Sequence, residues 1–140
     1  MTKIFNRDIY AKANIIAGLG DARVYPVVAP NATIAAKSAT ATLTAADFGK
    51  NVTNTGASGA TVLTLPAASA VRGLSARFQS TVAQQVSLSP LAAEAVFLGG
   101  NGVVNKDLVI AGVIGNYVDV YSDGTRYLVT GYSGVVTKEA

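Results

Sequence analysis

Eight carboxylates are the only side chains in this 140-residue chain that could serve as acid or base near neutral pH, because it contains neither histidine nor cysteine. Without an imidazole, Ser-His-Asp and Cys-His nucleophilic catalysis are excluded, and so are zinc centres built on Cys and His. Two of the carboxylates, Asp119 and Asp123, lie close together in the chain. Four residues of extended backbone separate them by about 13 Å, whereas a retaining glycosidase needs its carboxyl pair about 5 Å apart. The glycine clusters Gly56-Ala57-Ser58-Gly59 and Gly99-Gly100-Asn101-Gly102 lack the Lys-Ser or Lys-Thr of a phosphate-binding loop and lead into no helix, so they read as turns. Asn31-Ala32-Thr33 and Asn51-Val52-Thr53 match a glycosylation tripeptide that arises often by chance, and no secretory leader accompanies them. The reading is therefore not an enzyme: no catalytic residue, no metal ligand and no cofactor site is assigned.

The elements around these residues are β-strands. Half of the chain is hydrophobic but only 14% is charged, against about 25% in ordinary soluble domains. Gly, Ala, Val, Thr and Ser dominate, the composition of many short strands joined by tight turns. A surface so poor in charge suggests cover by copies of the same chain or by a partner. The absence of cysteine removes any need for an oxidising compartment. The most apolar region, 91–115, is interrupted by Glu94, Asn101, Lys106 and Asp107, so no membrane segment is expected where a span needs about 20 apolar residues.

The clearest stretch runs from Asn116 to Tyr132. Two alternating runs flank Asp123-Gly124, predicting a hairpin with a two-residue type I′ turn. That turn pairs Tyr121 with Arg126, Val120 with Tyr127, Asp119 with Leu128 and Val118 with Val129. One face then carries Val118, Val120, Tyr127 and Val129 toward a core. The other carries Asp119, Tyr121 and Arg126, with Leu128 as the exception.

Further strands are expected at 41–44, 51–54, 61–65, 75–81, 85–89, 96–98, 108–110 and 134–137. Pro66 and Pro90 stop two of them, and Ala45–Gly49 forms a single helical turn closed by Gly49. Strands about ten residues apart predict an all-β fold, an antiparallel β-sandwich or jelly-roll.

The first part of the chain differs. Residues 1 to 37 hold five basic and two acidic side chains, and the remaining six of each sign cancel, so the whole net charge of +3 lies there. Tyr25-Pro26 and Ala29-Pro30 impose extended backbone. Residues 8–19 are expected to form at most one short helix, with Asn6 or Asp8 near its start and Gly18 or Gly20 closing it. Residues 1–37 thus read as an arm that orders on a partner, and residues 38–140 as the β domain. An asymmetrically basic arm suits an acidic surface. It lacks the block of like charges and the interleaved aromatics of a nucleic-acid arm, so neither nucleic acid nor membrane is expected as a partner.

The order Ala41-Thr42-Leu43-Thr44-Ala45-Ala46-Asp47-Phe48-Gly49, then Val62-Leu63-Thr64-Leu65-Pro66, Gly112-Val113-Ile114-Gly115 and Val118-Asp119-Val120-Tyr121-Ser122-Asp123-Gly124-Thr125 resembles small β domains of tailed-phage virions. These are capsid decoration (cement) or head-fibre proteins and tail-fibre modules. In that family a Leu-Pro pair ends an early strand and a Ser-Asp-Gly-Thr hairpin precedes an aromatic residue, commonly Trp, where this chain has Tyr127. The resemblance spans about residues 40 to 134 and carries no catalytic residue. It implies a structural role at the capsid surface after assembly in the host cytoplasm, the major capsid protein as partner, and often a homotrimer. With the basic arm, it points to decoration that stabilises the head. A receptor- or glycan-binding head-fibre or tail-fibre module is the alternative. The residues expected to dock on the capsid are Lys3, Phe5, Arg7, Tyr10, Lys12, Arg23 and Tyr25.

Overall fold

A computed structural model describes residues 33–140. Eleven short strands form two mixed sheets, and the all-β expectation holds. In chain order they are β1 (Ile34–Ala36), β2 (Ala41–Thr42), β3 (Asn51–Thr53), β4 (Thr61–Thr64), β5 (Ser75–Gln79), β6 (Val86–Ser89), β7 (Val96–Phe97), β8 (Leu108–Ile110), β9 (Tyr117–Ser122), β10 (Tyr127–Ser133) and β11 (Val136–Lys138). Sheet one has the order β1-β3-β5-β9-β10-β7, and sheet two the order β11-β8-β6-β4-β2.

The pairing differs from an antiparallel sandwich or jelly-roll. Five of the nine strand pairings are parallel: β1 with β3, β3 with β5, β2 with β4, β4 with β6, and β7 with β10. From β1 to β6 the chain switches sheets at every step, so odd strands stack in sheet one and even strands in sheet two. The result is a coil of two strands per turn, each turn hydrogen-bonded to the next. Antiparallel order enters only with the second half. There β9 joins β5, β10 folds back on β9, and β8 and β11 extend sheet two.

Two of the crossings bring core side chains with them. The link from β2 to β3 buries Leu43 and Phe48, and the link from β4 to β5 buries Leu65, Ala68 and Val71. The first link makes a single 3-10 turn, Ala45–Asp47. Asp47 Oδ2 accepts the Thr44 N–H at 2.9 Å, and Asp47 Oδ1 pairs with Lys37 Nζ at 2.9 Å. Burial alone would push the Asp47 carboxyl pKa up, but the Thr44 N–H and the Lys37 ammonium outweigh it and hold the pKa below the usual value. Gly49 then turns the chain at φ +78°, a conformation that disfavours any residue with a Cβ.

One apolar core draws on both sheets. Ala76, Phe78, Val118, Val120 and Tyr127 face it from sheet one, and Leu63, Val86, Leu88, Leu108 and Ile110 from sheet two. The ring of Phe48 stands edge-on to Phe78 at 6.3 Å and tilted to Tyr127 at 6.0 Å between centroids, separations at which aromatic pairs attract.

Two sequence-based expectations need correction. The hairpin does not turn on a two-residue Asp-Gly loop. Ser122 pairs with Tyr127, Tyr121 with Leu128 and Val120 with Val129, leaving Asp123–Arg126 as a four-residue loop, and the register shifts again between Asp119 and Val120. The cause is the Asp123 side chain. Its Oδ1 accepts the N–H groups of Thr125 and Arg126 at 2.8 and 2.9 Å, which closes the loop from within. Only Gly124 has positive φ there, at +95°, whereas a type I′ turn needs two such residues. That pattern occurs instead at Gly99-Gly100, with φ of +59° and +84° beneath the Leu98–Asn101 bridge. The inward face was nonetheless legible: Val118, Val120 and Tyr127 are fully buried, and Val129 packs partly buried against the core.

The second correction concerns the boundary at residue 37. Strand β1 pairs along its length with β3, and Lys37 is held by Asp47. Residues 34–37 therefore belong to the β body.

Candidate functional site

Asp47, Glu94, Asp119, Asp123 and Glu139 hold structural contacts. Arg77 donates Nε–H and Nη2–H to the two oxygens of Asp119, both at 2.7 Å. This is the bidentate fork at which guanidinium and carboxylate match in geometry. The pairing arises because Arg77 on β5 and Asp119 on β9 are directly opposite in register. The Asp119 carboxylate holds the guanidinium more firmly protonated than usual, and the same guanidinium lies 3.9 Å above the Tyr117 ring. Asp123 closes its loop and accepts Arg126 Nε–H at 2.9 Å. The backbone N–H groups of Thr125 and Arg126, then the guanidinium, keep its pKa below the usual carboxylate range. Asp119 and Asp123, the one nearby acid pair in the sequence, are thus each engaged by a different arginine.

Glu94 accepts the Ala68 N–H with both oxygens, at 3.0 and 3.2 Å. Beside it, Tyr127 donates its hydroxyl proton to the Pro66 carbonyl at 2.6 Å. Burial and the Glu94 charge push the phenol pKa well above its ordinary value, so this tyrosine stays neutral and donating. Glu139 Oε2 accepts the Asp107 N–H at 3.1 Å. Among the described residues no three His, Cys, Asp or Glu side chains gather as a metal centre, and no helix is long and apolar enough to cross a membrane.

Several large apolar side chains of the described residues are exposed. The loop from β8 to β9 and the turn from β10 to β11 meet at one end of sheet two. There the Ala111 N–H bonds the Val135 carbonyl at 3.0 Å, next to the Val136–Ile110 pair. Asn116, itself buried, donates its amide to the Ala111 carbonyl at 3.2 Å. Ser80 anchors the same loop twice, its N–H to the Asn116 carbonyl at 2.9 Å and its carbonyl to the Gly115 N–H at 2.8 Å. Gly134 turns at φ +85°, and a Cβ there would collide with the Asn116 amide. This pinned end presents Val113, Ile114 and Val135 at 56, 67 and 60% exposure. Contiguous exposed apolar surface of this kind is what contact sites use.

In the sequence, Gly112-Val113-Ile114-Gly115 counted only as one piece of the resemblance and not as an exposed apolar end. Its signal is Ala111-Gly112-Val113-Ile114-Gly115, an apolar run between glycines with no polar residue to alternate. The residues assigned to docking, Lys3, Phe5, Arg7, Tyr10, Lys12, Arg23 and Tyr25, and the expected helix over 8–19, lie outside the described residues. Comparison with family models, with curated proteins and with solved structures finds no match to this chain.

Proposed function

We propose that this chain is a structural protein of a tailed-phage virion, a decoration (cement) protein that binds the outside of the head and stabilises it without chemistry. The β body is the covering unit. The basic leader holds it to the major capsid protein, and the pinned apolar end formed by Val113, Ile114 and Val135 associates with other copies in a homotrimer. The observation that carries this reading is that end: Val113, Ile114 and Val135 are exposed on a loop and turn whose backbone is fixed by hydrogen bonds. The engagement of Asp119, Asp123, Asp47 and Glu94 in structural contacts supports a role by binding. In a trimer, three leaders act on one shell, so contacts that are weak singly hold together.

The test uses phage heads stripped of decoration. The intact chain is expected to sediment alone as a species three times its 14.2 kDa mass, to pellet with heads up to a saturating ratio, and to raise their unfolding temperature, since a ligand of the assembled state stabilises it. A monomer that leaves heads unbound and their unfolding temperature unchanged would overturn the proposal.

A further inference from the structure

We propose that Asn101 is a site of spontaneous deamidation, a chemical modification built into the loop between β7 and β8. The reaction needs an asparagine whose amide carbon can be reached by the next residue's backbone nitrogen. It is fastest where that residue is glycine and the backbone nitrogen is free. Asn101-Gly102 is the only Asn-Gly pair in the sequence. Asn101 is exposed, and its side chain makes no hydrogen bond among the described residues. Its backbone is held in place by the paired bridge to Leu98, with both N···O distances 3.0 Å. The Gly102 N–H donates to no acceptor among the described residues. Gly102 also cannot be exchanged cheaply, because a Cβ there would run into the ring of Phe97. Packing thus preserves the residue that makes the step easy.

The Gly102 nitrogen attacks the Asn101 side-chain amide carbon and gives up its proton to water. The bond from that carbon to the amide nitrogen breaks, and ammonia leaves. One water molecule then opens the five-membered imide at either carbonyl, giving aspartate or isoaspartate. The net change exchanges water for ammonia and lowers the formal charge of the chain from +3 by one. Isoaspartate also lengthens the backbone by one carbon at the Leu98–Asn101 bridge. It therefore loosens the loop that exposes Val103 and Val104.

The chain contains its own control. Asp123-Gly124 can form the same imide in a free peptide, but here the Asp123 carboxylate is engaged by Thr125, Arg126 and the guanidinium. The Gly124 N–H is donated to Ser122 Oγ at 3.1 Å.

The folded intact chain is incubated at physiological temperature in mildly alkaline buffer, digested with trypsin, and followed by chromatography and fragmentation mass spectrometry. The peptide of residues 78–106 is expected to gain about 1 Da at Asn101 and to split into two peaks, as thermolabile asparagines do. The peptide of residues 107–126 is expected to remain single, and Asn101→Gln to abolish the shift. An unchanged 78–106 peptide, a shift at Asn105 instead, or Asp123 isomerising at the same rate would each overturn the proposal.

Discussion

Replacing Tyr127 by alanine is expected to cost about 3–5 kcal/mol of folding stability, the usual range for emptying a buried aromatic site. Tyr127 is fully buried, and its ring is the point where sheet one meets the links that cross between the sheets. It touches Phe48 from the β2–β3 link, and its hydroxyl is bonded to Pro66 from the β4–β5 link. Removing it opens a cavity that a strand fixed on both sides, by β9 and by β7, cannot collapse to fill. A domain of this size is stable by only about 5–15 kcal/mol in total, so the loss is a large fraction. Tyr127→Phe separates the two contributions. It keeps the ring and removes only the donor to the Pro66 carbonyl, at an expected cost of about 1–3 kcal/mol. Urea unfolding midpoints at constant slope measure both. A loss below about 0.5 kcal/mol for the alanine variant, within the range of ordinary surface changes, would contradict the packing described.

The second large effect is expected at Asn54, just after β3. Its side chain is 1% exposed and satisfies the loop that joins β5 to β6. Oδ1 accepts the N–H groups of Thr81 and Val82 at 2.7 and 3.2 Å and the Thr81 hydroxyl at 3.3 Å. Nδ2 donates to the carbonyls of Gln84 and Val82 at 2.8 and 3.3 Å. One amide therefore locks two successive turns of the coil together across 27 to 30 residues of sequence. Asn54→Ala is expected to cost about 2–4 kcal/mol, because several backbone groups lose their partners at once, each worth about 1–3 kcal/mol when left unsatisfied. The figure stays at the low end of a plain sum because loop 81–85 is partly exposed and water replaces some contacts. Asn54→Asp keeps the acceptor and loses both donations, so it is expected to fall between alanine and the native residue. Hydrogen exchange at Thr81 and Val82 reads the effect locally. Unchanged protection there in Asn54→Ala would contradict this role.

The positions of all the described strands but β1 were legible because short runs of Val, Thr and Leu end at Pro66, Pro90 and the glycine pairs, whereas β1 lies in what read as the arm. The inward face of the hairpin was legible because alternation names faces without needing the partner. The partners themselves were not legible. A period of two is the same in a strand whose neighbour is parallel or antiparallel, and the switching of sheets is encoded in the links. There Leu43, Phe48, Leu65 and Val71 carry the core outside any strand. The hairpin register failed on a single side chain. Asp123 was read as the first residue of a tight turn, but its carboxylate can accept two N–H groups and so close a longer one. Asn54 was read as the end of the strand 51–54 and Asn116 as the start of the hairpin stretch, yet both are buried pins, a role visible only once distant segments are brought together. Of the candidate site, the basic character of the leader was plain in the charge count. The apolar end was hidden because Val113 and Ile114 look the same in sequence whether they face the core or solvent.

The central claim is a division of roles between the leader and the β body. It is tested most directly by comparing the intact chain with residues 31–140, in sedimentation with undecorated heads and by circular dichroism. The fragment retains β1, the Lys37–Asp47 pair and the apolar core of the described residues. The expected result is a folded 31–140 fragment that stays in the supernatant, while the intact chain pellets with heads and its binding weakens with salt as exposed charge contacts do. A folded fragment that pellets with heads as fully as the intact chain would contradict the account.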